Sequence, residues 1–319
     1  MRVVQAPPDE HPLPVTVVGG DSGAGKSALI RHLLARPEGR SLAVILDDGT
    51  SLGLNPATVS YRDGPFCTLT NGCVCCTRDG DFSDALAALR QRPERPSHVI
   101  IEANASANLR RIAGYGYMPG FRIDGIVVVA DAETIRDRVE SLETSLRVRR
   151  QLEAAELLVL NKVDAVPARP RAALRDWLSG IVPQAHVIET EHGRVGSSLL
   201  LGIPPEEAER DARAVSSTWE TTFRAPGRRA PARTAEEREF GPAHRVWTLV
   251  TNEPISAHDF RKWTSHLPNT IVRGSGVVHI REDPYYRHTF DLVGHRSHVS
   301  RELPWGRAHP ETRLALVGL

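Results

Sequence analysis

Short, mainly apolar runs alternate along the first two thirds of the chain with longer stretches whose apolar residues recur every three or four positions. The runs are residues 15–18, 42–46, 98–101, 125–130 and 157–160. Runs of this length without polar alternation are typical of strands buried on both faces of a parallel sheet. Between them the spacing predicts helices over 28–34, 81–92, 134–155 and 171–181. In the second of these, Phe82, Ala85, Leu86 and Leu89 share one helical face, and Asp81 suits the N-cap. The alternation predicts an α/β domain: a mainly parallel sheet with helices on both faces.

The pattern changes towards the C-terminus. Residues 205–240 are rich in Pro, Arg, Ala and Glu, a linker composition with room for one short helix at 205–214. Beyond it, 244–250 alternates, Ser256-Ala-His-Asp259 resembles a capping box opening a helix to Leu267, and 270–273, 277–281, 289–293 and 298–302 have the form of short strands. One helix against an antiparallel sheet predicts a smaller C-terminal α+β domain. The expected layout is a loose proline-bearing arm at 1–14, a first domain at 15–204, the linker, and a second domain at 241–319.

Composition adds limits more than direction. With 319 residues, 40% of them apolar, the chain can build two cores, and its net charge of +1 indicates no particular partner. Residues 224–319 hold 15 basic against 10 acidic residues, a modest and dispersed excess expected of a solvated arginine-rich surface, so a nucleic-acid face is not indicated. No signal peptide and no apolar span of about 20 residues is present, which argues against a membrane partner.

Within this arginine-rich background there are three lysines, and two of them fall in motifs. The first motif is Gly20-Asp-Ser22-Gly23-Ala24-Gly25-Lys26-Ser27, which fits G-x-x-x-x-G-K-[ST] between a predicted strand and a predicted helix starting at Ala28. Glycines there let backbone N–H groups turn around phosphate oxygens, and the helix adds its positive end. Lys26 is expected to reach the β- and γ-phosphates and Ser27 to bind Mg²⁺. The first domain is therefore expected to be a P-loop NTPase.

The second motif, Asn161-Lys162-Val-Asp164, follows the run 157–160 and so emerges at a strand's carboxyl end, where open α/β sheets bind ligands. A carboxylate at Asp164 accepts two hydrogen bonds from guanine N1–H and N2–H, which adenine does not offer, and Lys162 can lay its methylenes over the base. GTP is favoured over ATP.

All four cysteines lie within ten residues, Cys67 and then Asn71-Gly-Cys73-Val-Cys75-Cys76-Thr77. Disulfide proteins scatter their cysteines to close loops, so clustering implies a reducing, cytoplasmic compartment. Clustered thiolates favour a soft or borderline metal, Zn²⁺ first. Three cysteines leave a tetrahedral site open to water, Cys67, a carboxylate or a recipient's ligand. A redox-sensing thiol cluster and inert core cysteines are the competing readings.

Together these residues resemble the CobW-type metallochaperone GTPases, the P-loop group that includes HypB and UreG. The resemblance rests on Gly25-Lys26-Ser27, on Asn71 through Thr77, on Gln151 through Asp164, and on Val272-Arg-Gly-Ser-Gly276. It implies a GTPase whose GTP or GDP state governs loading and release of Zn²⁺, or Co²⁺, for a client metalloprotein, with Cys73, Cys75 and Cys76 as metal ligands. By family position Glu102 is expected to orient the attacking water, with Asp48 second, and Asp48 also to contact a metal.

The chain departs from the family's pattern in three places. Asp47-Asp48-Gly49-Thr50 stands where relatives show Asn-Glu-Phe-Gly. Glu102-Ala-Asn-Ala-Ser-Ala-Asn-Leu109 keeps the acid, but Ala105 replaces a glycine whose N–H would meet the γ-phosphate, so slow hydrolysis is expected. A histidine-rich tract is replaced by residues 224–233, and His288, His295 and His298 are expected mainly at the surface or an interface, with a second metal site the lesser reading. A GTP-binding adaptor acting in zinc limitation, for example on ribosomes, and an activator of one cobalt or iron enzyme such as a nitrile hydratase are the alternative functions.

Overall fold

A computed structural model describes residues 12–46, 59–63, 66–69, 74–77, 82–92, 94–203, 244–306 and 308–319, with the three segments between 59 and 77 described by backbone alone. Contacts divide the chain into two compact units, Met1–Val195 and Gly196–Leu319. The linker at 205–240, most of the arm at 1–14, the N-cap at Asp81, and the candidate residues Asp48 and Cys73 lie outside the described residues.

The first unit runs β1 (Leu13–Gly20), α1 (Lys26–Ala35), β2 (Leu42–Leu46), β3 (Val59–Asp63), β4 (Phe66–Leu69), β5 (Val74–Thr77), α2 (Phe82–Arg90), β6 (His98–Glu102), α3 (Leu109–Ala113), β7 (Phe121–Asp131), α4 (Ile135–Glu140), α5 (Ser145–Ala154), β8 (Leu157–Asn161), α6 (Ala168–Ile181) and β9 (His186–Glu189). Among the described residues these strands form one sheet in the order β3-β4-β5-β2-β6-β1-β7-β8-β9. From β5 to β9 all pairings are parallel, and β4 and β3 add an antiparallel margin.

Alternate residues of each strand serve opposite faces. Val15, Val17, Ala43, Ile45, Val99, Ile101, Val128, Ala130, Leu158 and Leu160 join one core cluster with Leu86 and Leu89 of α2, Leu109 and Ile112 of α3, Val148 and Leu152 of α5, and Leu178 of α6. The intervening Val44, Ile100, Val127, Val129 and Val159 are also buried, as are Leu29, Ile30, Leu33 and Leu34 of α1. Two-sided burial explains why these strands read as mainly apolar runs. One polar tie crosses the middle of the sheet: the Thr16 hydroxyl donates to Asp124 Oδ2 at 2.8 Å and meets His98 Nε2 at 2.8 Å.

Two expectations are corrected in this unit. The helix expected over 134–155 is two helices, α4 and α5, because Ser141 and Thr144 give the backbone other partners. Ser141 Oγ accepts from Glu143 N at 3.3 Å and Thr144 Oγ1 donates to Arg138 O at 2.6 Å. The second half of the cysteine run, absent from the strands expected above, is a strand: Cys75 pairs with Val44 and Cys76 with Ile45 along β2, and Cys75 stands opposite Cys67 across β4.

The second unit comprises α7 (Ser197–Leu201), β10 (Arg245–Thr251), α8 (Ala257–Thr264), β11 (Ile271–Val278), β12 (Tyr286–Val293), β13 (Arg296–Pro304) and β14 (Thr312–Gly318). Its strands form an antiparallel sheet in the order β10-β14-β11-β12-β13. The Ser256 side chain caps α8 by accepting from Asp259 N at 3.0 Å. Phe260 of α8 packs on Phe290 of β12, ring centroids 5.2 Å apart. The strands expected at 270–273 and 277–281 are one strand, which passes Gly276 at φ 149°. His288 is buried beside Asp283, its Nε2 3.3 Å from Oδ2, so it departs from the expected surface position.

Candidate functional site

The parallel strands end along one edge of the first sheet, and the predicted nucleotide residues gather there. β1 stops at Gly20, and the chain turns through 21–25 into α1 at Lys26. The turn depends on glycine. Gly25 has φ 106°, and a Cβ there would lie 2.1 Å from Asn161 Nδ2; Gly20 has φ 133°, and a Cβ would lie 2.2 Å from the Val129 carbonyl oxygen.

Lys26 is buried under this loop, and Nζ donates to Gly20 O at 2.8 Å and Asp21 O at 3.2 Å. Burial holds its pKa below the ordinary lysine range, while Glu102 and Asp21 pull it upward. The ammonium therefore rests on two carbonyls that phosphate oxygens can replace.

Ser27 and Glu102 meet at the same edge: Ser27 Oγ donates to Glu102 Oε1 at 2.9 Å. Glu102 is 1% exposed, and its other oxygen, Oε2, is buried with no hydrogen-bond partner among the described residues. Burial raises the Glu102 pKa, with the Ser27 bond and the Lys26 and Arg31 charges opposing. A buried carboxylate oxygen with no donor, beside a hydroxyl on a phosphate loop, is a donor set that fits Mg²⁺.

The base motif divides into a buried and an exposed part. Asn161 is buried and cross-links the site: Nδ2 donates to Ala24 O at 2.9 Å, and Oδ1 accepts from Gly193 N at 2.8 Å. Lys162 adopts φ 62° and its Nζ lies 2.7 Å from Asp131 Oδ2. Asp164 is exposed on the turn that follows.

Three residues that motif reading did not single out also hold the site. Asp131 ends β7 beside Asn161. Its position at a strand's carboxyl end, after an apolar run, was the available signal. Gln151 on α5 is buried, and its Oε1 accepts from Gly20 N at 2.9 Å. Asp21, inside the loop, is held by Arg147 Nη2 at 2.8 Å and Arg138 Nε at 3.5 Å, which offsets a carboxylate where phosphates would bind.

The cysteine strand reaches the same edge. Thr77, at the end of β5, is in register with Leu46 and through it with Glu102. Two strand spacings put those backbones about 10 Å apart. Side-chain positions of Cys75 and Cys76, and all of Cys73 and Asp48, lie outside the described residues.

Comparison with known proteins agrees with this layout. Residues 14–189 match the CobW/HypB/UreG nucleotide-binding domain and residues 244–319 the cobalamin synthesis protein cobW C-terminal domain. The zinc chaperone CobW of Sinorhizobium sp is 32% identical over 221 residues, covering 60% of this chain and 62% of that protein. The zinc-regulated GTPase metalloprotein activator 1 of Schizosaccharomyces pombe is 30% identical over 195 residues, 58% of this chain and 47% of that protein. The chain thus spans less than two thirds of these relatives' lengths. In fold, it resembles the crystal structure of Zn(II)-bound YjiA GTPase from E. coli, with a TM-score of 0.51 at 21% identity over 97% of this chain and 95% of that one. No helix among the described residues is long and apolar enough to cross a membrane. With a phosphate loop, a base motif and both domains matched, the chain belongs to the CobW/HypB/UreG family of P-loop nucleotide-binding proteins.

Proposed function

We propose that the chain is a GTP-hydrolysing metallochaperone that binds Zn²⁺ through Cys73, Cys75 and Cys76 and passes it to a client metalloprotein under nucleotide control. The observation that carries this reading is the shared edge: the strand bearing Cys75 and Cys76 ends two strands from Glu102, which bonds Ser27 of the phosphate loop. The relatives named as zinc chaperones support zinc as the cargo. Asp164 is the residue assigned to guanine recognition, and Lys162, steered by Asp131, is assigned to the face of the base.

In this reading Lys26 exchanges its two carbonyl partners for phosphate oxygens, and its charge offsets charge developing on the transferred group. Ser27 and Glu102 would hold Mg²⁺, which would supply further charge neutralisation. Glu102 also orients the attacking water through its carboxylate. Ala105 in place of glycine makes turnover slow. The domains are assigned at 15–204 and 241–319, the second to partner contact, with α7 (Ser197–Leu201) the exception, grouped by its contacts with the second unit.

Anaerobic Zn²⁺ titration in the presence of GDP and of a non-hydrolysable GTP analogue tests the coupling. Affinities differing by about fivefold or more are expected, since a ligand shifts an equilibrium only through differential binding. Equal affinities would remove nucleotide control, and a cysteine-to-serine triple variant that binds zinc as tightly would remove the assigned ligands.

A further inference from the structure

The peptide joining Asn104 to Ala105 is held on one side and open on the other. Gln151 uses both ends of its amide. Oε1 accepts from Gly20 N at 2.9 Å, and Nε2 donates to Ala105 O at 2.9 Å and to Asn104 O at 3.3 Å. The next peptide is satisfied as well, because Asn104 Oδ1 accepts from Ser106 N at 2.9 Å and Ser106 Oγ at 2.8 Å.

One donor in this turn has no acceptor among the described residues: the Ala105 N–H. A trans peptide directs its N–H opposite to its C=O. The Asn104 carbonyl accepts from Gln151 Nε2 and also from Ala107 N at 3.1 Å, so the Ala105 N–H is turned away from α5. The turn starts two residues after Glu102, whose carboxylate meets Ser27 on the phosphate loop. One side chain from α5 therefore links the first peptide of the phosphate loop to both carbonyls of this turn, whose own Ala107 N to Asn104 O bond completes the frame.

We propose that Gln151 is a positioning residue that presents the Ala105 N–H to the terminal phosphoryl group of a bound nucleoside triphosphate and ties that peptide to Gly20. A backbone N–H bonded to an ionised phosphate is about twice as strong as a neutral pair. Alanine lacks glycine's freedom to swing its N–H into place, so the orientation rests on the Gln151 bonds together with the turn bond from Ala107, and the slower turnover assigned above remains. Loss of the terminal phosphate is then registered at the turn and, through the same amide, at the phosphate loop. The proposal rests on the nucleotide reading above.

Two variants separate the bonds. Gln151→Glu keeps an acceptor for Gly20 N–H and loses the donor to both carbonyls; Gln151→Leu loses both without adding charge. Dissociation constants for GDP and a non-hydrolysable GTP analogue, with single-turnover hydrolysis, are the readouts. Both variants are expected to weaken the analogue about tenfold more than GDP and to slow hydrolysis at least as much. A merely structural role would weaken both nucleotides equally.

Backbone hydrogen exchange over 104–106 in the unsubstituted protein is independent of how the variants fold. It should slow with the analogue and not with GDP. An unchanged affinity ratio in both variants, or equal exchange with the two nucleotides, overturns the proposal. Failure of the guanine reading shows separately, as an unsubstituted protein that prefers ATP; the same ratio measured with adenine nucleotides then tests Gln151. Binding of neither class overturns both.

Discussion

The phosphate half and the base half of the nucleotide site are built differently. On the phosphate side Lys26, Glu102, Gln151 and Asn161 are buried and bond to the loop or its flanks, the last three across 75, 131 and 137 positions of sequence. On the base side Asp164 is exposed, and Lys162 is oriented by a single pair with Asp131. The phosphate half is preorganised, so phosphate contacts should supply most of the affinity. The base half is open, so it should supply selectivity at smaller cost when altered.

The sharpest way to break this contrast is Lys26→Ala. Loss of two charge-assisted bonds at about 1.5–3 kcal/mol each should weaken GTP and GDP binding by about two to four orders of magnitude in a fluorescence titration. A loss of only a few-fold would mean that the buried half does not dominate. Asp164→Asn tests the other half. It should reduce the preference for GTP over ATP by about tenfold or more and weaken GDP as much as GTP, so that the ratio of GTP to GDP affinity, which reads the phosphate contacts, stays close to that of the parent. Unaltered guanine preference would leave Asp164 without its assigned role.

A smaller effect is expected with pH. Bound phosphate raises the pKa of Lys26 above its burial-lowered value in the free protein. On the alkaline side binding therefore takes up protons, and affinity falls as pH rises through the lowered pKa. On the acid side Glu102 must lose its proton to hold Mg²⁺, and burial has raised its pKa, so Mg²⁺-dependent affinity grows as pH rises through that raised value. Calorimetry in buffers of different ionisation enthalpy should record proton uptake on one side and release on the other. A flat profile would place neither group at the ligand. The smallest effect belongs to Asp131→Asn, which leaves Lys162 in place but loosens it. A two- to threefold weaker guanine nucleotide affinity is expected, on the scale of a partly exposed ion pair at about 0.2–1 kcal/mol.

Much of the fold was legible because its signals are local. Burial on both faces makes strands such as Leu42–Leu46 apolar at every position, and the helical spacing of Phe82, Leu86 and Leu89 marks one buried face. Where local chemistry competes, the reading failed: Ser141 and Thr144 interrupt a periodicity that otherwise continues. The strand Thr312–Gly318 lies between β10 and β11 and was not anticipated, although its apolar run has the form of a central strand.

The sequence by itself determined the phosphate loop and the base motif, since glycine geometry, a following helix and a strand end are fixed by adjacent residues. Tertiary structure alone decided which groups hold them. Gln151 finds Gly20 across 131 positions, Asn161 finds Ala24 across 137, and Asp124 finds Thr16 across 108. Such partners carry no spacing rule, because hydrogen bonds between distant segments depend on where a sheet and its helices bring the chain together. The same holds for the cysteines: their composition favours metal, while register in the sheet decided that their strand ends near Glu102.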